Sequence, residues 1–222
     1  MVANSIYSNN ESAGVALEYS ANNTVENNWL LGNYRGVTLG HSTSNLVKDN
    51  IALNSSDVGI DISDVSPYNL VVGNIISNNK VGIQIKFTNN SIFYHNNFIN
   101  NLNNHPQDAE AFFNFNFWND SFGEGNYWSN YTGVDANRDG IGDTPHPLYI
   151  YNQDYYPLMK PYIPGDCNHD GVVNIKDGAL VGVAWNTVKG TLHYNPHADL
   201  NMDDVINMTD ADIIRKNWQK HL

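Results

Sequence analysis

The amino-acid sequence predicts a mainly β protein, a short parallel β-helix followed by a small α-helical unit at the C-terminus. Two observations predict this architecture. A repeat of about 23 residues runs through the first half of the chain. Near the end stand two twelve-residue segments rich in side-chain oxygens, and a stretch with helical spacing follows each of them. We therefore expect a β-helix of about five coils and a pair of metal-binding loops.

Glycine marks a fixed position in the repeat. Four glycines stand 22, 23 and 23 residues apart, and an alternating apolar run follows each: Gly14, Gly36, Gly59 and Gly82. Within a run the apolar residues lie two places apart, as Val37 and Leu39 do. This spacing is typical of a strand with one buried face. The residues between them are predicted to face outwards: Ala16, Thr38, Asp61 and Gln84.

Asparagine forms a second column in step with the glycines, at Asn4, Asn28, Asn50, Asn74 and Asn97. An apolar residue stands two places after each: Ile6, Leu30, Ala52, Ile76 and Ile99. A repeat this short cannot bury its own apolar face, so its copies must stack. Stacked strands place equivalent residues about 4.8 Å apart, which lets asparagine amides bond to the copies above and below. The pattern predicts a parallel β-helix in which the asparagines are structural.

The charge of the chain excludes several classes of partner. With 23 acidic and 11 basic side chains, its formal net charge is −12. Such a chain repels nucleic acid and anionic membranes, and it favours cations. The single cysteine, Cys167, excludes an internal disulfide, and we expect its side chain to point outwards without a function. No apolar stretch is long enough for membrane insertion, and the first residues lack the features of a signal peptide, so the chain is either cytoplasmic or has lost a leader. The repeat also begins in the middle of a coil, which indicates a fragment of a longer protein or an end that another subunit covers.

An aromatic-rich segment follows the repeats. It reads FWNDSFGEGNYWSNYTGVDANRDGIGDTPHPLYIYNQDYYPLM from Phe117 to Met159. Together with the repeats it resembles the NosD-type family of right-handed parallel β-helices, in its archaeal form, which is grouped with carbohydrate-binding and sugar-hydrolase β-helices. The resemblance implies such a domain over residues 1–156. Four aromatic residues are predicted to cap the lower end of the apolar stack, with an aromatic platform for sugar as the alternative: Trp118, Tyr127, Trp128 and Tyr131.

Two segments carry side-chain oxygens at alternate positions, DCNHDGVVNIKD from Asp166 and DLNMDDVINMTD from Asp199. Calcium takes roughly six to eight oxygen ligands, which a loop supplies when alternate residues point inwards. The predicted ligands of the first loop are Asp166, Asn168, Asp170, the Val172 carbonyl, Asn174 and Asp177. Those of the second loop are Asp199, Asn201, Asp203, the Val205 carbonyl, Asn207 and Asp210. Gly171 permits a sharp turn, and Asp204 must adopt the same left-handed conformation.

A shorter copy of this motif, DANRDGIGD, begins at Asp135. Its predicted calcium ligands are Asp135, Asn137, Asp139, the Ile141 carbonyl and Asp143, and the alternative is a plain Asp/Gly turn. The twelfth position holds His146 instead of an acid. Another group must therefore complete the shell, and Asp154 is a candidate by its proximity in sequence.

A shared core of two helices is predicted from Leu180, Val183, Ile213, Ile214 and Trp218. The two loop–helix units resemble a type I dockerin, a module that binds cohesin domains of other proteins. The resemblance implies a dockerin over residues 166–222, preceded by a stiff linker at 157–165. It also implies a partner-binding surface late in each loop and along the following helix, at Ile175, Lys176, Gly182, Val183, Met208, Thr209, Arg215, Lys216 and Lys220.

These motifs favour a calcium-binding module at the cell surface or outside the cell, because extracellular calcium can fill loops of modest affinity. We expect a non-catalytic β-helix, carbohydrate-associated or architectural, that is anchored to a cohesin-bearing complex. The alternatives are a polysaccharide lyase or a glycoside hydrolase, although the outward positions offer Glu18, Asp61 and Lys86 without a stacked pair of acids. Docking between copies of the β-helix is a further hypothesis. Copper has little support, because the 8 histidines are scattered.

Overall fold

The computed structural model describes residues 1–103, 115–149 and 152–222. The chain forms two compact units. The first contains residues 1–134 and 142–157, and the second contains residues 135–141 and 158–222. In the part of the chain that is described, no helix is both long enough and apolar enough to cross a membrane.

The first unit is a stack of short strands. Its first turn contains β1 (Val2–Ala3), β2 (Ile6–Ser8) and β3 (Ala13–Glu18), and its second contains β4 (Thr24–Glu26), β5 (Trp29–Leu31) and β6 (Arg35–Gly40). The third turn contains β7 (Leu46–Lys48), β8 (Ile51–Leu53) and β9 (Val58–Ser63), and the fourth contains β10 (Leu70–Val72), β11 (Ile75–Ser77) and β12 (Val81–Ile85). Then follow β13 (Ile92–Tyr94), β14 (Asn97–Ile99) and β15 (Tyr127–Trp128).

Corresponding strands of successive turns pair in parallel and confirm the predicted β-helix. The three sheets run β1-β4-β7-β10-β13, β2-β5-β8-β11-β14-β15 and β3-β6-β9-β12. Among the described residues, four turns carry all three strands, slightly fewer than the five coils predicted. The difference lies at the lower end, where β13 and β14 extend their sheets and the described residues add no strand beyond β12 to the third sheet.

Apolar residues of the third sheet form the predicted inward columns. Leu39 of β6 and Ile85 of β12 flank Ile62 of β9 as Cα partners. Both Leu39 and Ile62 are 0% exposed. Equivalent side chains therefore lie one above the next in the interior, where stacking excludes water from each copy of the repeat.

The polar column of the same sheet is less exposed than predicted. Of the four residues expected to face outwards, only Ala16 is exposed, whereas Thr38, Asp61 and Gln84 are 9%, 1% and 8% exposed. Arg35 contributes to this burial, because its Nη1 donates to Asp61 Oδ2 over 2.7 Å. Alternation along a strand decides which face a side chain occupies, but a neighbouring long side chain can still cover that face.

Asparagine side chains connect successive turns, as predicted. The backbone N–H of Asn28 donates to Asn50 Oδ1 over 3.0 Å, and that of Asn50 donates to Asn74 Oδ1 over 3.0 Å. The Asn50 side chain also donates to the backbone carbonyl of Val25, over 2.9 Å. Each buried amide thus satisfies backbone groups at a corner where the strand ladder is interrupted.

The ends of this column lie one residue away from the predicted Asn4 and Asn97. Ser5 holds the first position, since its N–H donates to the Asn28 side chain over 3.1 Å. Asn96 holds the last, because its Oδ1 accepts from the Asn74 N–H over 3.1 Å. The turns differ in length by one or two residues, so matching asparagines by identity alone shifts the register.

This shift exchanges inward and outward residues in the outermost strands. Ile6, which the asparagine column aligned with the buried Leu30 and Ile76, is 71% exposed, while Tyr7 packs against the core. At the other end Phe98 is 0% exposed, and Ile99 is only half-buried. A shift of one residue reverses the face of every side chain in a strand.

Aromatic rings cover the lower end of the stack. Trp118 stacks on Phe93 with ring centroids 4.5 Å apart, and Trp128 stacks on Phe98 with centroids 4.1 Å apart. Both tryptophans are 1% exposed. This confirms the predicted cap for these two rings, because a sugar platform must present a ring face to its ligand. Tyr131 is half-buried against the same core, and Tyr127 in β15 is half-buried.

A hairpin completes the first unit. β16 (His146–Tyr149) and β17 (Asn152–Asp154) pair antiparallel. Leu148 in β16 is 3% exposed and joins the core of the β-helix.

The second unit contains two α-helices, α1 (Ile175–Val183) and α2 (Met208–Lys216), and a 3₁₀ turn at Pro196–Ala198. Asn174 caps α1 and Asn207 caps α2, each by accepting a hydrogen bond from the backbone N–H two residues on. In both helices the third residue is an aspartate, which accepts from the N–H of the capping asparagine. These reciprocal bonds satisfy N–H groups that a helix start leaves unpaired.

The closing aspartates determine which face of each helix is buried. The buried positions lie four residues apart: Asp177 and Val181 in α1, and Asp210 and Ile214 in α2. Of the predicted core residues, Ile214 is buried, but Val183 and Trp218 are 78% and 47% exposed. The aspartate must point into its loop, and the residue one turn later lies on the same face of the helix, so it also points inwards. The helix face that the sequence predicted to be buried is rotated away from this one.

The segment predicted as a linker, residues 157–165, lies mostly within the second unit. Leu158 and Ile163 are each 1% exposed. The outward orientation expected for Cys167 is wrong, because this side chain is 4% exposed and packs in the same core as Ile163.

Candidate metal sites and partner surface

The loop that begins at Asp166 folds around its own oxygens. Asp166 Oδ1 accepts from the Asp170 N–H over 3.1 Å, and its Oδ2 accepts from the Gly171 N–H over 2.8 Å. Asp177 Oδ2 accepts from the Asn174 N–H over 2.7 Å. Gly171 makes the turn with φ +86°, in the left-handed region. The first and last predicted ligands are thus drawn towards the interior of one loop.

The loop that begins at Asp199 repeats this pattern. Asp199 Oδ1 accepts from the Asp203 N–H over 3.2 Å, and its Oδ2 accepts from the Asp204 N–H over 2.9 Å. Asp210 Oδ2 accepts from the Asn207 N–H over 2.9 Å. Asp204 takes φ +67°, which is the left-handed conformation predicted for the residue that replaces glycine.

These loops concentrate negative charge in a small volume. Asp177 and Asp210 are 0% exposed, and burial raises the pKa of Asp166. A hydrogen bond from Lys176, over 2.7 Å, lowers the pKa of Asp170. Carboxylates held this close repel one another until a cation neutralises them. The ligand set contains only oxygens, which is the set that calcium prefers.

The short loop at Asp135 shares the backbone geometry of the two longer loops. Asp135 Oδ1 accepts from the Asp139 N–H over 3.2 Å, and its Oδ2 accepts from the Gly140 N–H over 3.0 Å. Asn137 Oδ1 also accepts from the Asp139 N–H, over 3.1 Å. Gly140 makes the same turn as Gly171, with φ +87°. Residues 135–141 belong to the second unit, whereas the fifth predicted ligand, at position 143, belongs to the first.

Asp154, the candidate for completing that shell, accepts hydrogen bonds from residues around the aromatic cap. Its Oδ2 accepts from Trp128 Nε1–H over 2.9 Å and from the Asn126 N–H over 2.8 Å, and its Oδ1 accepts from the Tyr156 N–H over 3.1 Å. The residue is 0% exposed, and burial raises its pKa to about 6. His146, at the twelfth position, packs on Trp128 with ring centroids 5.1 Å apart. Both side chains therefore stabilise the aromatic cap.

Contacts within the second unit place the short loop beside the first long loop. The N–H of Met159 donates to the Gly140 carbonyl over 2.9 Å. The Asp139 carbonyl oxygen lies 3.4 Å from Nδ1 of His169, which is a residue of the Asp166 loop. Sequence spacing did not predict this neighbourhood, because about 25 residues of the other unit and the connecting segment separate the two loops.

All residues predicted to contact a partner are exposed. The apolar side chains of this set are Ile175, Val183 and Met208, which are 72%, 78% and 64% exposed. Arg215 Nε donates to Asp212 over 2.9 Å on the surface of α2. The other exposed members are Lys176, Gly182, Thr209, Lys216 and Lys220. Exposed apolar side chains beside basic ones are suited to contact another protein.

The structure also assembles a cluster in the first unit that the sequence analysis missed. Ligand atoms of His95, Asp120 and Glu124 lie within 4.8 Å of one another. His95 Nε2 and Glu124 Oε2 are 2.5 Å apart, and the two residues are 4% and 5% exposed. His95 and Glu124 are 29 residues apart in the chain, so only the folding of the last turn brings them together.

Comparison with protein families assigns both parts of the chain. The family described as periplasmic copper-binding protein (NosD) matches residues 1–133, more than half of the 222 residues. The chain belongs to the NosD family. A second match, to the dockerin type I domain, covers residues 164–217. The comparisons with curated proteins and with solved structures gave no match.

The two matches confirm the two resemblances seen in the sequence. The NosD match covers the stacked strands, and the dockerin match covers both long loops with α1 and α2. Dockerin domains bind calcium and cohesin domains, which agrees with the all-oxygen ligand sets of the two long loops. The short loop at Asp135 precedes the dockerin match, and the His95 cluster lies inside the NosD match.

Proposed function

We propose that this NosD-family chain is a calcium-binding β-helix module that its dockerin domain anchors to a cohesin-bearing complex outside the cytoplasm. The observation that carries the proposal is the duplicated loop–helix unit. The bond from the Asp170 N–H to Asp166 recurs as the bond from the Asp203 N–H to Asp199. Both loops lead directly into a helix whose outer face is exposed.

We assign one calcium ion to each dockerin loop, with the six predicted ligands of each loop. A third calcium ion at residues 135–143 is part of the proposal. The support for it is the shared pattern in which Asp135 accepts from the N–H groups four and five residues later, as Asp166 and Asp199 do. Its shell would include more water than the dockerin sites, because the short loop has no closing acid at its twelfth place.

An extracellular or cell-surface location follows from the proposed chemistry. Calcium is abundant outside the cytoplasm, where loops of modest affinity are filled. The description of the NosD family as periplasmic supports a location beyond the cytoplasmic membrane. The net charge of −12 agrees with this location, since it favours cations over nucleic acid.

For the β-helix we propose a non-catalytic role, carbohydrate-associated or architectural. Catalysis by a hydrolase needs two carboxylates on either side of a bound sugar. Asp61 is 1% exposed and is paired with Arg35, which also donates to Asp57 over 3.1 Å. Burial raises the pKa of Asp61, as in many catalytic acids, but the ion pair gives it a structural task. A lyase or hydrolase is the alternative, and cleavage of a polysaccharide would favour it.

The test is calorimetric titration of the full chain with type I cohesin domains, in calcium and in chelator. We expect binding in calcium and none in chelator. The same preparation is incubated with polysaccharides, and release of reducing or unsaturated ends is measured. If no cohesin binds in calcium while a polysaccharide is cleaved, the assembly proposal fails and the enzyme alternative replaces it.

Copper is named in the description of the family, and the residues of this chain fit it only in part. Cu(I) favours cysteine and methionine sulfur. The chain has 1 cysteine and 4 methionines, and Cys167 packs in the core of the second unit. Cu(II) accepts imidazole and carboxylate ligands, which the His95 cluster offers. The chain therefore offers ligands suited to Cu(II) rather than to Cu(I).

A further inference from the structure

We propose that His95, Asp120 and Glu124 form a site for a divalent transition-metal ion, distinct from the calcium loops in its ligand chemistry and beyond the anchoring function. The ligand set is one imidazole nitrogen and two carboxylates, all in the first unit. Imidazole favours copper, zinc, iron and nickel over calcium, which takes oxygen ligands. One chain would thus sort two classes of cation by ligand type.

The backbone around the cluster is already held in place. His95 stands at the corner between β13 and β14, and its N–H donates to the Gly125 carbonyl over 2.7 Å. Asp120 Oδ1 accepts from the N–H groups of Phe122 and Glu124, over 2.8 Å and 2.9 Å. The Asp120 N–H in turn donates to the Glu124 carbonyl over 2.9 Å. Ligands fixed in this way need little ordering when an ion binds.

Charge also favours an ion. If His95 is protonated, it balances only one of the two carboxylates, and these three side chains keep one negative charge. With a divalent ion and a neutral imidazole, the same three side chains and the ion sum to zero. This difference in net charge is important because Glu124 is 5% exposed, and a buried carboxylate without a compensating charge raises the free energy of the fold.

The distances permit coordination after a small adjustment. Ligand atoms bound at about 2.0–2.2 Å lie at most about 4.4 Å apart. The three atoms lie within 4.8 Å of one another, which is close to the range that one ion can span. The direct contact between His95 Nε2 and Glu124 Oε2, now 2.5 Å, must open to admit the ion. Three protein ligands leave a position for water or a further ligand, as in open zinc sites.

Two variants test the site without disturbing the fold. His95 has φ +56°, and asparagine occupies the equivalent corner at Asn4 and Asn27, with φ +53° and +55°. His95→Asn therefore suits the backbone. Glu124→Gln keeps the size of the side chain and removes its charge. The matched control is His41→Asn, which changes an exposed histidine at another left-handed corner, φ +47°.

The full chain is kept in saturating calcium, so that the loops are filled, and is titrated with Zn²⁺ by calorimetry and with Cu²⁺ by electron paramagnetic resonance. We expect the wild type and His41→Asn to bind one tight ion. His95→Asn should lose the nitrogen coupling in the copper spectrum, and both site variants should bind at least about tenfold more weakly. Circular dichroism confirms that each variant is folded.

Two outcomes overturn the proposal. In one, the wild type in saturating calcium binds no tight Zn²⁺ or Cu²⁺, and the cluster is then only a buried hydrogen bond between a histidine and a glutamate. In the other, both site variants bind with the wild-type affinity and spectrum. Cohesin binding is measured on the same preparations, so a failure of this site is distinguishable from a failure of the anchoring function.

Discussion

Ile62 gives the sharpest test of the coil register, because it lies between Leu39 and Ile85 in the third sheet and is 0% exposed. Ile62→Ala removes three carbon atoms, and at about 0.8 kcal/mol each the transfer term is about 2.4 kcal/mol. The neighbouring rungs are held by strand ladders and cannot collapse into the space, so a cavity term adds to this. We expect the free energy of unfolding to fall by about 3–5 kcal/mol. Ile62→Asp should cost more, because it buries an unpaired charge.

Ile6 provides the matched control, since the asparagine column aligned it with the buried Leu30 and the structure leaves it 71% exposed. Ile6→Ala should change the free energy of unfolding by less than about 0.5 kcal/mol. The assay is denaturant unfolding of the full chain in saturating calcium, followed by circular dichroism of the strands and by tryptophan fluorescence. The reasoning is refuted if Ile6→Ala destabilises the chain as much as Ile62→Ala does, because the register would then be the one read from the asparagines.

Three further predictions address the loops, the cap and the partner surface. Chelation of calcium should remove the helical ellipticity of α1 and α2 and spare the strand signal, since the small core of the second unit must hold the repelling carboxylates; an unchanged helical signal would contradict this. The pKa of Asp154 is raised from 3.8 to about 6, so its contribution to stability is full below pH 3.8 and is lost as the pH rises through about 6. The free energy of unfolding of the wild type relative to Asp154→Asn should therefore fall by about 2.4 kcal/mol between pH 4 and pH 7, and a flat difference in urea titrations would refute the assignment. Changing Arg215 and Lys216 together to Glu should leave calcium binding intact and weaken cohesin binding. The loss should be several kcal/mol if these charges are desolvated in the complex, and small if they lie at its rim. Equal or tighter binding in calorimetry would show that these basic residues of α2 do not meet an acidic partner.

The sequence was sufficient for the fold because the period of the repeat directly reflects the stacking of the strands. The same holds for the long loops, in which alternate oxygens and a left-handed Asp204 follow from local geometry. What the sequence could not supply was register and long-range proximity. Ser5, and not Asn4, holds the first position of the asparagine column. Because the turns differ in length, matching residues by type alone does not find the structurally equivalent position. His95 and Glu124 are 29 residues apart in the chain and come into contact only when the last turn folds, so no local sequence pattern predicts the pair.

The buried faces of α1 and α2 differ from the predicted ones, and the reason links calcium binding to the partner surface. Asp177 and Asp210 serve both as closing ligands of their loops and as the helix residues that fix the buried face. Once these carboxylates point inwards, Val181 and Ile214 are buried one turn later, and Val183 and Lys216 must lie on the outer side. The residues that would contact a cohesin are therefore oriented by the residues that would bind calcium. Without the ion, repulsion among the loop carboxylates acts on the first turn of each helix, so loss of calcium should abolish partner binding even where the contact residues themselves are unchanged.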